Sequence, residues 1–170
     1  MRSIQIEPIT KADHAIVAAI MQDYWGDTFV VVHGEIFHAA EMPGLKAVSR
    51  DEIVGIMHYR IFNQECEILT LASRQEGQGI GTSLVNAVEE MAWQESCRVL
   101  SVTTTNDNLH ALGFYQRRGF FITALYPDQV AFSRQIKPAI PLISDNGIPI
   151  RDEIRLEKEI PTNPGMRDNK

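Results

Sequence analysis

The chain has 170 residues, of which 44% are hydrophobic and 22% charged, and a formal net charge of -6. That is enough for one domain with its own core, while the absence of any run near the roughly 18 uncharged apolar residues of a membrane helix argues against membrane insertion. The acidic balance argues against broad nucleic-acid binding, which needs Lys and Arg to neutralise phosphates.

The start, Met1-Arg2-Ser3-Ile4-Gln5, passes directly into alternation without the apolar core of an export signal, which points to the cytoplasm. Ile4, Ile6 and Pro8 alternate with Gln5 and Glu7 as a short half-buried strand. Thr10 then reads as a helix cap with Asp13 placed to reach back, and Ala15, Ile16, Ala19 and Ile20 form the apolar face of the helix that follows. The pattern ends around Tyr24-Trp25-Gly26-Asp27. Val30-Val31-Val32-His33-Gly34-Glu35 follows, β-branched residues closing on a glycine turn, in a region rich in polar and aromatic groups that suits a substrate-side wall or a covering loop.

Leu45, Ala47 and Val48 lead through the polar turn Arg50-Asp51-Glu52 into Ile53 to Phe62, a strand hairpin. Asn63-Gln64 makes the next turn, and Glu65 to Leu71 is a further strand, so the chain to this point is an antiparallel meander. After Glu76-Gly77-Gln78-Gly79-Ile80-Gly81-Thr82 comes a helix to about Gln94, then the β-branched strand Val99 to Thr104, a right-handed parallel unit. Asn108 to Arg118 has helical spacing and stops at Gly119, a C-cap, before the strand Phe120 to Leu125. Val130 to Ile136 reads as a short helix. Pro138, Pro141, Asn146-Gly147 and Pro149 then break the chain repeatedly, Asp152 to Ile160 alternates as a closing edge strand, and Pro161 to Lys170 reads as a mobile tail. Cys66 and Cys97 stand outside any zinc-spaced cluster and read as buried reduced thiols. No metal is expected, and His33 with His38 is poorly spaced for one.

Three alternate glycines between strand and helix make a bare loop suited to an anion, because the N–H groups of the first helical turn are free and aligned with the helix dipole. A nucleoside triphosphate loop would carry Lys before Ser or Thr directly after the last glycine, but Gly81 is followed by Thr82-Ser83. A dinucleotide unit would place the loop after the first strand with an acidic residue about 20 positions on. The next strand here ends in Thr103-Thr104-Thr105.

At these residues the chain resembles the GCN5-related N-acetyltransferase (GNAT) superfamily. That family's loop runs Gln or Arg, two residues, Gly, one residue, Gly or Ala, then a helix. Arg74-Gln75-Glu76-Gly77-Gln78-Gly79 matches it literally, whereas Glu76-Gly77-Gln78-Gly79-Ile80-Gly81 fits the usual position against the helix but puts Glu76 where Arg or Gln is expected. The second register is preferred, since backbone N–H groups carry no side-chain requirement. A second motif, Asn108 to Phe120, reproduces the family's Asn, Ala, Tyr, Gly-Phe spacing through Asn108, Ala111, Tyr115 and Gly119-Phe120.

The resemblance implies an α/β (α+β) fold: a single domain over 1–160 with a tail at 161–170, a mixed central sheet of about six to seven strands flanked by helices, splayed at an acetyl-CoA cleft. It implies transfer of an acetyl group from acetyl-CoA to a primary amine on a small molecule or protein, by direct attack on the thioester. N–H groups of Gln78, Gly79, Gly81 and Thr82 would hold the pyrophosphate. The strand through Leu69 and Leu71 would run beside the pantetheine and polarise the thioester carbonyl, and Asn108 and Tyr115 would also contact the cofactor. Tyr115 is the expected acid, because a phenol with a pKa near about 10 can protonate or hydrogen-bond the departing sulfur. Glu67 and Glu65, on one face of the strand entering the cleft, are the expected sources of a base, with Glu67 favoured. His58 is a further candidate base, and Trp25, His33, Glu35 and His38 are candidates for the substrate side. A coenzyme A-binding module without chemistry and a glycine-loop nucleotide binder are the competing classes. The expected partners are acetyl-CoA and an amine acceptor, without nucleic acid or membrane, and a homodimer.

Overall fold

The computed structural model describes residues 4–75 and 77–161. Glu76 and residues 162–170, on which the first motif position and most of the expected tail fall, lie outside the described residues.

Strand β1 (Gln5–Pro8) opens the chain, ending at a proline that an edge strand can accept. The Thr10 N–H donates to Asp13 Oδ2 at 2.7 Å, as the capping reading expects, and a short 3-10 turn leads into helix α1 (His14–Trp25). Gly26 stops α1 in the left-handed conformation, φ 68°. Strands β2 (Phe29–Val32) and β3 (Glu35–His38) form a separate two-stranded hairpin. Then come β4 (Gly44–Ser49), β5 (Glu52–Phe62) and β6 (Glu65–Ser73), the expected meander. Helix α2 (Ile80–Gln94), β7 (Val99–Thr105), α3 (Leu109–Gln116), β8 (Phe121–Tyr126), α4 (Gln129–Ile136) and β9 (Glu153–Glu159) complete the order.

The main sheet has seven strands in the order β1-β4-β5-β6-β7-β9-β8, antiparallel except where β6 and β7 run parallel. β9 therefore lies between β7 and β8, not at an edge as its alternating charges suggest. Its inward positions decide this: Leu156 is fully buried and the carboxylate Glu153 nearly so, and the outer edge falls to β8. Two of its charged residues find partners on other elements, Arg155 with Glu65 of β6 and Lys158 with Glu89 of α2.

Two apolar layers clamp the sheet. On one face α2 buries Ile80, Leu84, Val85, Val88 and Ala92 against Val54, Met57, Cys66, Ile68, Leu100 and Leu156. Each large side chain so buried contributes about 1.5–3 kcal/mol. On the other face α1 packs Val17, Ile20 and Met21 with Ile56, Leu69 and Phe37. This face of α1 is rotated from the expected one, since Ala15, Ile16 and Ala19 are exposed. Apolar residues occur nearly all round this helix, so periodicity does not select its buried side. Gly55 lets α2 approach: a Cβ there would lie 2.5 Å from Ile80 Cγ2. The start of α2 is thus seated directly on β5.

Between Ile68 and Leu71 the sheet opens. Ile68 pairs with Tyr59 and Thr70 with His58, leaving Leu69 as the extra residue of a β-bulge. Parallel pairing of β6 with β7 stops at Ile68↔Val102, whereas β7 stays on β9 to Thr105↔Glu153. The bulge bends β6 away from its neighbour, and a gap follows.

Candidate active site

The glycine loop ends at the start of α2. Gly79 holds φ 76°, a conformation other residues adopt at a cost, and the N–H groups of Ile80, Gly81 and Thr82 are those of the first helical turn. They face a cleft of about 610 Å³ whose lining includes Leu71, Gly77, Gly79, Gly81, Thr82, Asn108 and Tyr115. Gln78 belongs to the loop without lining this cleft. Gly81 also allows close packing, since a Cβ there would meet Phe114 Cζ at 3.1 Å.

Where β6 leaves β7, a second hollow of about 120 Å³ is lined by Trp25, Leu69, Thr70, Leu71, Thr103 and Tyr115 among others. The two hollows share Leu71, Asn108, Ala111 and Tyr115. Tyr115 stands at the junction of the cleft and the notch. Its ring is held by edge-on contacts with Phe114 and Phe120, its hydroxyl makes no hydrogen bond among the described residues, and burial pushes the phenol well above its ordinary pKa. It is therefore protonated across the neutral range.

Asn108 caps α3, its Oδ1 accepting from the Ala111 N–H at 3.0 Å. The residue itself lines the cleft and the notch. Arg118, which motif spacing did not single out, reaches back from the turn after α3 to donate to Thr82 Oγ1, and its guanidinium lies 3.5 Å over the Phe114 ring. Burial pushes the guanidinium pKa down. The signal was available, since Arg118 follows Tyr115 by three positions and so shares its side of the helix end.

Glu67 and Glu65 are both committed to ion pairs. Glu67 is 1% exposed and meets Arg60 Nε at 2.6 Å, with Arg60 also bound to Glu35 at 2.9 Å. Glu65 takes Arg155 at 2.6 Å and the Ser101 hydroxyl. Sequence spacing gives no means of seeing these pairings. The second oxygen of Glu67, Oε1, is buried without a hydrogen-bond partner among the described residues.

His58 is buried, with Nδ1 2.7 Å from Thr70 Oγ1, and desolvation lowers its pKa to about 4, aided by His14. It stays neutral. Trp25 does line the notch, and His33 lies beside it through Thr103. His38 instead lies tilted against Phe29 and lines a separate hollow beside α1. Cys66 and Cys97 are buried free thiols, and burial pushes Cys66 up to about 12. They are too deep to meet a substrate.

The model of the acetyltransferase (GNAT) family matches residues 13–120. The Bacillus subtilis protein YxbD is 39% identical over 158 residues, covering 92% of this chain and 99% of its own. YdhI of the same organism is 42% identical over 138 residues, covering 81% and 86%. Among solved structures, an IAA acetyltransferase from Bacillus cereus superposes with a TM-score of 0.73 at 25% identity, covering 92% of this chain and 99% of that one. A Bacillus subtilis acetyltransferase in complex with CoA shares the fold at a TM-score of 0.66 and 22% identity, over 94% and 99%. The loop at the head of α2, the β6 bulge and the Asn108 to Phe120 motif thus occur together in a chain that belongs to the GNAT acetyltransferase family.

Proposed function

We propose that this protein moves the acetyl group of acetyl-CoA to a primary amine by direct attack of the amine on the thioester. The observation that carries this reading is the continuity of the helix-headed cleft with the notch at the β6 bulge, with Tyr115 where they meet. A diphosphate would take the N–H groups of Gln78, Gly79, Gly81 and Thr82. The pantetheine would follow β6 past Leu71 and Leu69, where backbone groups no longer pair with β7, and the Asn108 carboxamide would meet it from α3. The thioester would then lie at the bulge, its carbonyl against a strand N–H.

As the carbon–sulfur bond breaks, charge develops on sulfur. Tyr115, protonated and unpartnered, is positioned by its aromatic contacts to donate to it. We assign Glu67 and Glu65 to holding Arg60 and Arg155 in place rather than to proton transfer. The exposed Phe121, Ile122 and Leu125 on the open edge strand β8 support a homodimer through that edge, which light scattering at micromolar concentration tests.

The test is thiol release from acetyl-CoA in the presence of a panel of primary amines, with secondary amines and alcohols as controls. Acetyl-CoA binding without transfer to any amine would overturn the reading.

A further inference from the structure

β2 and β3 are joined by His33-Gly34, with φ 51° and 77°, the geometry of a tight hairpin turn that Asn-Gly fills best. A histidine at the first of these positions carries a backbone cost that its side chain must offset. Three contacts hold it. The His33 N–H donates to Glu153 Oε2 at 3.2 Å, Nδ1 lies 2.7 Å from the same oxygen, and the ring meets Tyr126 edge-on at 4.6 Å.

Glu153 sits at the head of β9 and is 4% exposed. Apart from His33 its carboxylate meets only the Ser133 hydroxyl, at 3.4 Å, and no Lys or Arg pairs with it among the described residues. A buried carboxylate of this kind orients the ring with hydrogen on Nδ1, and so leaves the lone pair on Nε2. Nε2 lies 3.1 Å from Thr103 Oγ1, and Thr103 lines the notch with Leu69, Leu71 and Tyr115. Carboxylate, imidazole, hydroxyl and notch form one line.

We propose that His33, oriented by Glu153, is the proton acceptor for the amine, working through the Thr103 hydroxyl. This rests on the acetyl-transfer reading and supplies the base that Glu65 and Glu67 do not. The ammonium passes a proton to Thr103 Oγ1 as that hydroxyl passes its own to His33 Nε2. The freed amine forms the carbon–nitrogen bond, the carbon–sulfur bond breaks, and sulfur takes the Tyr115 proton. The nitrogen, now an amide, loses its second proton to the phenolate, and His33, with a side chain 29% exposed, releases the first to solvent. Glu153 stabilises the imidazolium in between.

The groups facing His33 are Glu153 from β9, Tyr126 from β8, Thr103 from β7 and, beyond Glu153, Ser133 from α4. Arg155, two positions along β9, is turned to Glu65 and Glu157. The analogous pair His58 and Thr70 reaches the notch through Thr70, but among the described residues no carboxylate bonds to His58.

His33→Asn is the informative variant, because it creates the favoured turn sequence and removes only the imidazole. With acetyl-CoA and benzylamine, the proposal expects kcat to fall about 100-fold at neutral pH, with KM for acetyl-CoA within about twofold, and the acidic limb of the pH–rate profile to disappear. Glu153→Gln should move that limb to lower pH. Retention of the limb or of activity within about threefold in His33→Asn would overturn it. Independently of any acceptor, the nitrogen NMR spectrum of the wild-type His33 ring should show hydrogen on Nδ1, and an Nε2–H tautomer would overturn the proposal. Failure of acetyl-CoA to bind the wild type, or full activity of Tyr115→Phe, would instead strike the acetyl-transfer reading itself.

Discussion

Arg118 donates from Nη2 to the Thr82 hydroxyl at 2.5 Å, tying the turn after α3 to the first turn of α2 across 36 residues. It has no carboxylate partner among the described residues, and it sits where the helix start would meet an anion. Arg118→Leu should keep the fold and weaken acetyl-CoA binding about tenfold, the scale of one charge-assisted hydrogen bond, as measured by isothermal titration. Binding unchanged within about twofold would limit Arg118 to tying the helices together.

Gly79→Glu places a side chain at φ 76° and a negative charge at the head of α2. No neighbouring atom blocks a Cβ there, so the strain is that of the backbone, about 1–2 kcal/mol. Acetyl-CoA affinity should fall by about 100-fold or more. Gly79→Asn, which tolerates this conformation and is neutral, should stay within about fivefold of wild type, separating charge from strain.

Tyr115→Phe removes a hydroxyl that makes no hydrogen bond among the described residues. Thermal stability should change little, while kcat falls by about 10²-fold or more, with KM for acetyl-CoA nearly constant. Because burial raises the phenol pKa, no basic limb attributable to Tyr115 should appear below about pH 10 in the wild-type profile.

Arg60 neutralises the buried Glu67, so Arg60→Met should leave an uncompensated charge and destabilise by about 3 kcal/mol. For a domain of this length that is a fall of about 6–12 °C in Tm by calorimetry. Adding Glu67→Leu to the same chain should recover most of the loss. No recovery would mean that Glu67 contributes through more than its charge.

Asp13 is held at about 2, below its ordinary 3.8, chiefly by its hydrogen bond with Lys46 and by those from Thr10. Because the folded value is depressed, the unfolded chain takes up the proton first. This stabilisation is therefore present above about pH 4 and is lost as pH falls toward about 2. Urea unfolding of Asp13→Asn should show a deficit relative to wild type at pH 6 that shrinks steadily below pH 4.

The parts of this protein read from sequence are those in which a local backbone demand selects residue types. The glycines before α2 and the turns at Arg50-Asp51 and Asn63-Gln64 each answer to a conformation set within a few residues, and each stands where expected, while Gly119 takes its left-handed turn three residues after α3 ends at Gln116, with Arg117 and not Gly119 as its C-cap. The strand alternation of β4 to β7 was legible for the same reason. What lay beyond reach depends on which distant residues packing brings together. The arginines that occupy Glu65 and Glu67, the bulge at Leu69 that opens the notch and the insertion of β9 beside β7 all follow from the register of strands far apart in the chain. His33 and Glu153 meet across 120 residues because β9 enters the sheet where the β2–β3 turn reaches it. Sequence by itself determined the fold family and the glycine loop at the head of α2, since both are written in short-range backbone geometry; only the tertiary structure decided which side chains are left unpaired, since that depends on which charges the fold has already paired.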